Sequence, residues 1–82
     1  MSYTPELVAE LEILALFNLG SSQEGLKVHQ TAATTAIAAA RRLFEKDLID
    51  QPDGGYLTSL GRDAAEHAQS LLTILKTSKE AA

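Results

Sequence analysis

The cluster Pro52-Asp53-Gly54-Gly55 constrains this chain more than any other feature. Proline presets φ for a turn, and the glycines supply positive φ without a Cβ penalty. The flanking segments, Leu48-Ile49-Asp50-Gln51 and Tyr56-Leu57-Thr58, are short and contain apolar residues. Residues 48–58 are therefore expected to form a β-hairpin, with Asp53, Gly54 and Gly55 in its turn. What surrounds the hairpin is helical. At 100° per residue, Ala33, Ala36, Ile37, Ala40, Leu43 and Phe44 share one face, which predicts a helix over about 32–47 capped by Thr31. After the hairpin, Thr58 or Ser59 can cap a helix over about 59–76, whose apolar face is Leu60, Ala64, Ala68, Leu71, Leu72 and Leu75. The small, polar residues 77–82 are expected to fray.

The N-terminal third starts with a clear signal. Thr4 can cap free backbone N–H groups, Pro5 suits the first helical position, and Glu6 favours the positive end of the dipole. The pattern predicts a helix over about 5–19, stopped by Gly20. It carries two apolar strips: Leu7, Val8, Leu11, Leu14 and Ala15 on one side, and Ala9, Ile13, Leu16 and Phe17 on the other. One small core cannot use both. Ser21 and Glu24 form a Ser-x-x-Glu capping box, which predicts a short helix over about 21–27; residues 27–30 either finish it or form an extended connector.

The order is therefore helix, short helix, helix, hairpin, long helix: a mainly α chain with a small β-hairpin, in one domain over 1–82. This order resembles a winged helix-turn-helix. The specific resemblance lies in Ala40-Arg41-Arg42-Leu43-Phe44-Glu45-Lys46-Asp47-Leu48-Ile49-Asp50, followed by Gly54-Gly55-Tyr56-Leu57-Thr58-Ser59-Leu60-Gly61-Arg62. In winged-helix regulators of the MarR-like group, the recognition helix ends in a similar phrase, the wing follows, and Leu-Thr-x-x-Gly-Arg opens the next helix. The match covers about residues 21–66. The phrase has physical content, because Leu57 would plug the wing into the core, Thr58 would cap the next helix, and Gly61 would let that helix approach closely. The whole chain is also similar to a small, uncharacterised proteobacterial family described as DNA-binding.

The resemblance implies a transcriptional regulator or accessory factor that reads duplex DNA with the helix at about 32–47, and the absence of cysteine and of a spanning apolar run suits the expected cytoplasmic location. Its contacts would come from Lys27, Thr31, Thr34, Thr35, Ala38, Arg41, Arg42 and Lys46. Threonine hydroxyls bond phosphates or base edges, their methyls and Ala38 can meet a thymine methyl, and arginine engages guanine or phosphate. The same residue types also line the solvated face of any helix. The alternative is a protein-interaction module on the same scaffold. Charge separates the two readings: DNA binding needs the cations on one surface, whereas a protein module would interleave them with Glu45, Asp47, Asp50 and Asp53.

Charge is unevenly placed along the 82 residues, which carry 7 basic and 11 acidic side chains. Residues 1–26 hold Glu6, Glu10, Glu12 and Glu24 and no base, so the net charge of −4 is N-terminal. Between Leu48 and Leu60 the wing has no Arg or Lys. With no cysteine, disulfides, thiolate metal sites and cysteine nucleophiles are excluded. His29 and His67 are too few and too separated to suggest a metal site. Neither a Gly-rich phosphate loop nor a nucleophile with a base can be recognised, so no cofactor and no catalysis are expected. No apolar run approaches the ~18 residues that span a bilayer, and no membrane contact is expected.

A domain this short buries only ~60% of its unfolded surface, so a partner would help. Ile13, Leu16 and Phe17 are left over from the first helix, and Leu71, Leu72, Ile74 and Leu75 give the last one a wide apolar arc. Winged-helix proteins commonly pair through their terminal helices. A two-fold homodimer is expected there, with Glu6, Glu10 and Glu12 rimming an interface remote from DNA.

Overall fold

A computed structural model describes residues 3–20 and 24–77. Three helices, α1 (Pro5–Leu16), α2 (Thr34–Glu45) and α3 (Ser59–Thr77), surround the strands β1 (Leu26–Lys27), β2 (Ile49–Gln51) and β3 (Gly54–Leu57). The strands make one antiparallel sheet in the order β1-β3-β2. The chain is thus mainly helical with a small three-stranded sheet.

Thr4 caps α1 as expected, its Oγ1 accepting from Leu7 N at 3.1 Å. The helix ends earlier than the predicted residue 19. Phe17 is extended, and Asn18 Oδ1 accepts from Gly20 N at 2.9 Å while its Nδ2 donates to Glu24. That local asparagine turn competes with further helix. The two strips of α1 also change roles. Ile13 and Phe17, expected at a dimer interface, are 3% and 4% exposed and pack in the core with Leu14, Ala39, Ala40, Leu43, Ile49, Ala65 and Ala68. Leu7, Val8 and Leu11, expected in the core, stay about 40% exposed. The buried arc of α1 is Glu10, Ile13, Leu14 and Phe17, an i, i+3, i+4, i+7 set whose first member is a carboxylate.

The short helix expected over 21–27 is not formed where it can be seen. Residues 21–23 lie outside the described residues, and Leu26-Lys27 is a strand facing Gly55 and Gly54 of β3. Of the two alternatives for 27–30, the extended connector holds. Val28 N donates to Asp53 O at 2.7 Å, and a turn closes with Ala32 N on His29 O at 2.9 Å. The approach of β1 needs Gly54, because a Cβ there would run into the Leu26 carbonyl. Gly54 and Gly55, with φ of 130° and 74°, belong to β3, so the turn proper is Pro52-Asp53. A register irregularity follows, where Tyr56 N donates to Asp50 Oδ1 at 2.9 Å.

α2 starts two residues later than predicted. Its N-cap is Ala33, without a side-chain cap, and Thr31 sits in the preceding turn. It stops at a Schellman-type closure: Asp47 N donates to Phe44 O and Leu48 N to Leu43 O, with Asp47 in the left-handed region at φ 69°. Thr58 then locks the corner. Its Oγ1 donates to Asp47 O at 2.7 Å and accepts from Gly61 N at 3.0 Å, capping α3. A Cβ on Gly61 would overlap the Leu48 carbonyl, so this glycine sets the approach of α3 to the start of β2.

Two substitutions check this corner by thermal or urea unfolding. Gly61→Ala should cost at least ~2 kcal/mol, since the neighbour that must move is backbone. Asp47→Gly should add ~0.5–1 kcal/mol, because glycine adopts the left-handed cap without a Cβ penalty and removes an acid from a helix C-terminus.

Candidate functional site

Arg42 and Lys46 stand one turn apart on α2, and both turn toward α1. Glu10 lies between them, its side chain 7% exposed, with Arg42 Nε at 2.6 Å from one oxygen and Lys46 Nζ at 2.5 Å from the other. Arg42 also donates to the Glu6 carbonyl at 3.1 Å. Burial alone would raise the Glu10 pKa, but the hydrogen bonds and charges of Lys46 and Arg42 outweigh it and hold it below the ordinary value. Two of the eight expected DNA contacts are thus committed to a structural carboxylate. Glu10 itself, expected at the rim of a remote interface, is in the core.

The remaining expected contacts stay outside. Thr31, Thr34, Thr35, Ala38 and Arg41 are exposed, and Thr34, Ala38 and Arg41 follow the i, i+4, i+7 spacing of one outward line on α2. Thr34, Thr35 and Ala38 border a groove of about 350 Å3 against the N-terminus of α1, where Pro5 and Glu6 form the other wall. On the opposite flank, α2 and the hairpin turn enclose a cleft of about 610 Å3, whose rim carries Lys27, Thr31 and Arg41 and whose floor includes Ile37 and Ala40. His29 and Gln30 line the same cleft. No local sequence signal places these two residues in a site, because it is the extended connector that brings them beside α2.

Charge in the cleft is only partly free. Lys27 Nζ lies 3.0 Å from Asp53 Oδ2, and that hydrogen bond lowers the Asp53 pKa. Both groups are exposed, so the pair is weak and exchangeable. Arg62 pairs with Glu66 at 3.6 Å and donates to the Leu19 carbonyl, away from this face. Among the described residues Arg41 makes no ion pair or side-chain hydrogen bond, which leaves it as the cation of α2 available to a ligand. No group of three or more His, Asp or Glu side chains among the described residues could hold a metal ion. No helix among them is long and apolar enough to cross a membrane.

DUF5669, described as a family of unknown function, matches residues 1–76. The chain belongs to that family. No curated protein and no solved structure matches it. The match to DUF5669 takes in every described element except the last residue of α3.

The Glu10 bridge makes a prediction about acid stability. A carboxylate whose folded pKa is depressed contributes stability that is present above its unfolded value and lost as pH falls through the folded one. Glu10→Gln should cost ~1–3 kcal/mol near neutral pH, less than for a fully buried pair because both cations reach water. It should also flatten the loss of stability on acidification below the ordinary carboxylate value of 4.5. Urea unfolding as a function of pH checks both effects.

Proposed function

We propose that this chain is a winged helix-turn-helix protein that binds duplex DNA with the outward face of α2. The hairpin directly after α2, and the Thr58 and Gly61 corner that holds it, support the winged reading. The helix expected before α2 is replaced by β1 and the turn at His29, so α2 is approached through a strand and one turn. The observation that carries the DNA reading is the outward line Thr34, Ala38, Arg41, exposed and ending in an unpaired guanidinium beside a cleft.

That surface suits a small footprint. Threonine hydroxyls and the uncapped N–H groups at the start of α2 can meet phosphate, while Arg41 can engage a guanine edge or a further phosphate. Lys27 adds a second cation by exchanging Asp53 for phosphate, at small cost since both are exposed. With Arg42 and Lys46 held by Glu10, few counterions are released, so affinity depends only modestly on salt.

One observation favours a second reading, a protein-docking module. Lys27, on the rim of the same cleft as Arg41, is paired with Asp53, one of the acids that a protein module would interleave with the cations. Fluorescence anisotropy with labelled genomic duplexes at low salt separates the two. The DNA reading expects binding, a loss of ~10-fold or more in Arg41→Ala, and little change in Arg42→Ala once its lower stability is allowed for. Absence of binding by the parent, or equal affinity of Arg41→Ala, would leave the docking module as the better account.

A further inference from the structure

The cleft between α2 and the hairpin turn has a floor that the proposed duplex contact does not use. Its volume, about 610 Å3, lies within the roughly 300–1,000 Å3 of small-molecule sites. Along it Ala40 is buried and Val28 and Ile37 are half-buried. A duplex lying on Thr34, Ala38 and Arg41 offers phosphates and paired base edges, and neither complements an apolar floor. The polar groups around that floor are of a particular kind. Gln30 and Gln51 each carry a primary amide, with donor and acceptor in one plane, and His29 is the one aromatic ring of the lining. Among the described residues these three side chains and Arg41 have no hydrogen-bond or ion-pair partner.

With Lys27 on Asp53, the lining keeps one unmatched positive charge, Arg41. The complementary ligand is a flat body with apolar faces, adjacent donors and acceptors along its edge, and an attached acid. An aliphatic acid would satisfy Arg41 and leave both amides against apolar surface. A nucleobase has the faces and the edge: adenine presents a donor at N6 beside an acceptor at N7, the pair that a glutamine amide engages. Its phosphate suits the fork of a guanidinium. We propose that this cleft is a nucleotide site, in which the base lies on Val28, Ile37 and Ala40 with its edge toward Gln30 and Gln51, and one phosphate sits on Arg41. Lys27 can leave Asp53 for that phosphate at small cost, because both are exposed. The chemistry recognised is a base joined to one phosphate, carried by a free mononucleotide or by an unstacked nucleotide of a single strand. This site goes beyond the duplex reading and shares Arg41 with it.

Methyl and side-chain amide chemical shifts of the full chain, titrated with adenosine monophosphate and separately with a short single-stranded oligo(dA), test the proposal. At least one probe should move the Ile37 methyl and the Gln30 and Gln51 side-chain amides, which a contact with phosphate alone would leave in place. Adenosine, without the phosphate, and ribose 5-phosphate, without the base, should each bind ~10-fold or more weakly than adenosine monophosphate, as should adenosine monophosphate to Arg41→Ala. Gln30→Ala should lose ~3-fold or more, whereas Lys76→Ala, outside the cleft, should bind as the parent does. Tighter binding of oligo(dA) supports a strand as the source, and tighter binding of the mononucleotide supports a free nucleotide. The ligand comparisons use the parent chain and stand even if a variant misfolds. An Ile37 methyl unmoved by both probes, ribose 5-phosphate as tight as adenosine monophosphate, or parent-like binding by Arg41→Ala would overturn the proposal. Duplex binding alongside any of these results leaves the duplex reading intact, while nucleotide binding by a chain that ignores duplex removes that reading and keeps this site.

Discussion

A single carboxylate decides how the helices of this protein meet. Glu10 is drawn into the α1–α2 contact, where each of its oxygens accepts from a different cation of α2. Desolvating a carboxylate is costly, and the arrangement is favourable because two charge-assisted hydrogen bonds replace its water while both cations stay partly solvated. The rotation of α1 that buries Glu10 also buries Ile13, Leu14 and Phe17 and leaves Leu7 and Leu11 outside. On α2 the same bridge turns Arg42 and Lys46 inward and so fixes Thr34, Ala38 and Arg41 as the outward line.

The second constraint is the corner where α2, the hairpin and α3 meet. Asp47 bends the chain into the left-handed region, Thr58 bonds the Asp47 carbonyl and caps α3, and Gly61 allows the Leu48 backbone to touch that helix. Backbone contacts of this kind leave little freedom, so the hairpin is held at a set angle to α2. The cleft under Arg41 is therefore a product of the corner as much as of α2 itself, and any ligand of that face meets a surface formed before binding.

How much of this was legible in the sequence follows from the range of each signal. Thr4-Pro5, Pro52-Asp53-Gly54-Gly55 and the Thr58 to Gly61 phrase are local, and each produced the start, turn or cap that its chemistry demands. The phase of α1 was misread because apolar periodicity ignores a glutamate, although Glu10 completes the i, i+3, i+4, i+7 set with Ile13, Leu14 and Phe17. The matching clue was Arg42 and Lys46 at i, i+4, two cations on one side of a helix. β1 was not legible, since a two-residue strand has no period and exists through the space left by Gly54, which lies far along the chain opposite Lys27. The same holds for His29 and Gln30, brought to the cleft by that strand. The outward placement of Thr34, Thr35, Ala38 and Arg41 on α2 was legible from the helical period, whereas the ties of Arg42 and Lys46 to Glu10 on another helix were not.

The proposed DNA-binding role of the outward α2 face is tested most directly by amide chemical-shift mapping during titration with a short duplex. It predicts perturbations concentrated on Lys27 to Thr31, on Thr34 to Arg41 and on the Pro52-Asp53 turn, with Glu10 and its α1 neighbours little changed. Perturbations centred on α1 or on the end of α3, or a spectrum unaltered by excess duplex at low salt, would contradict it.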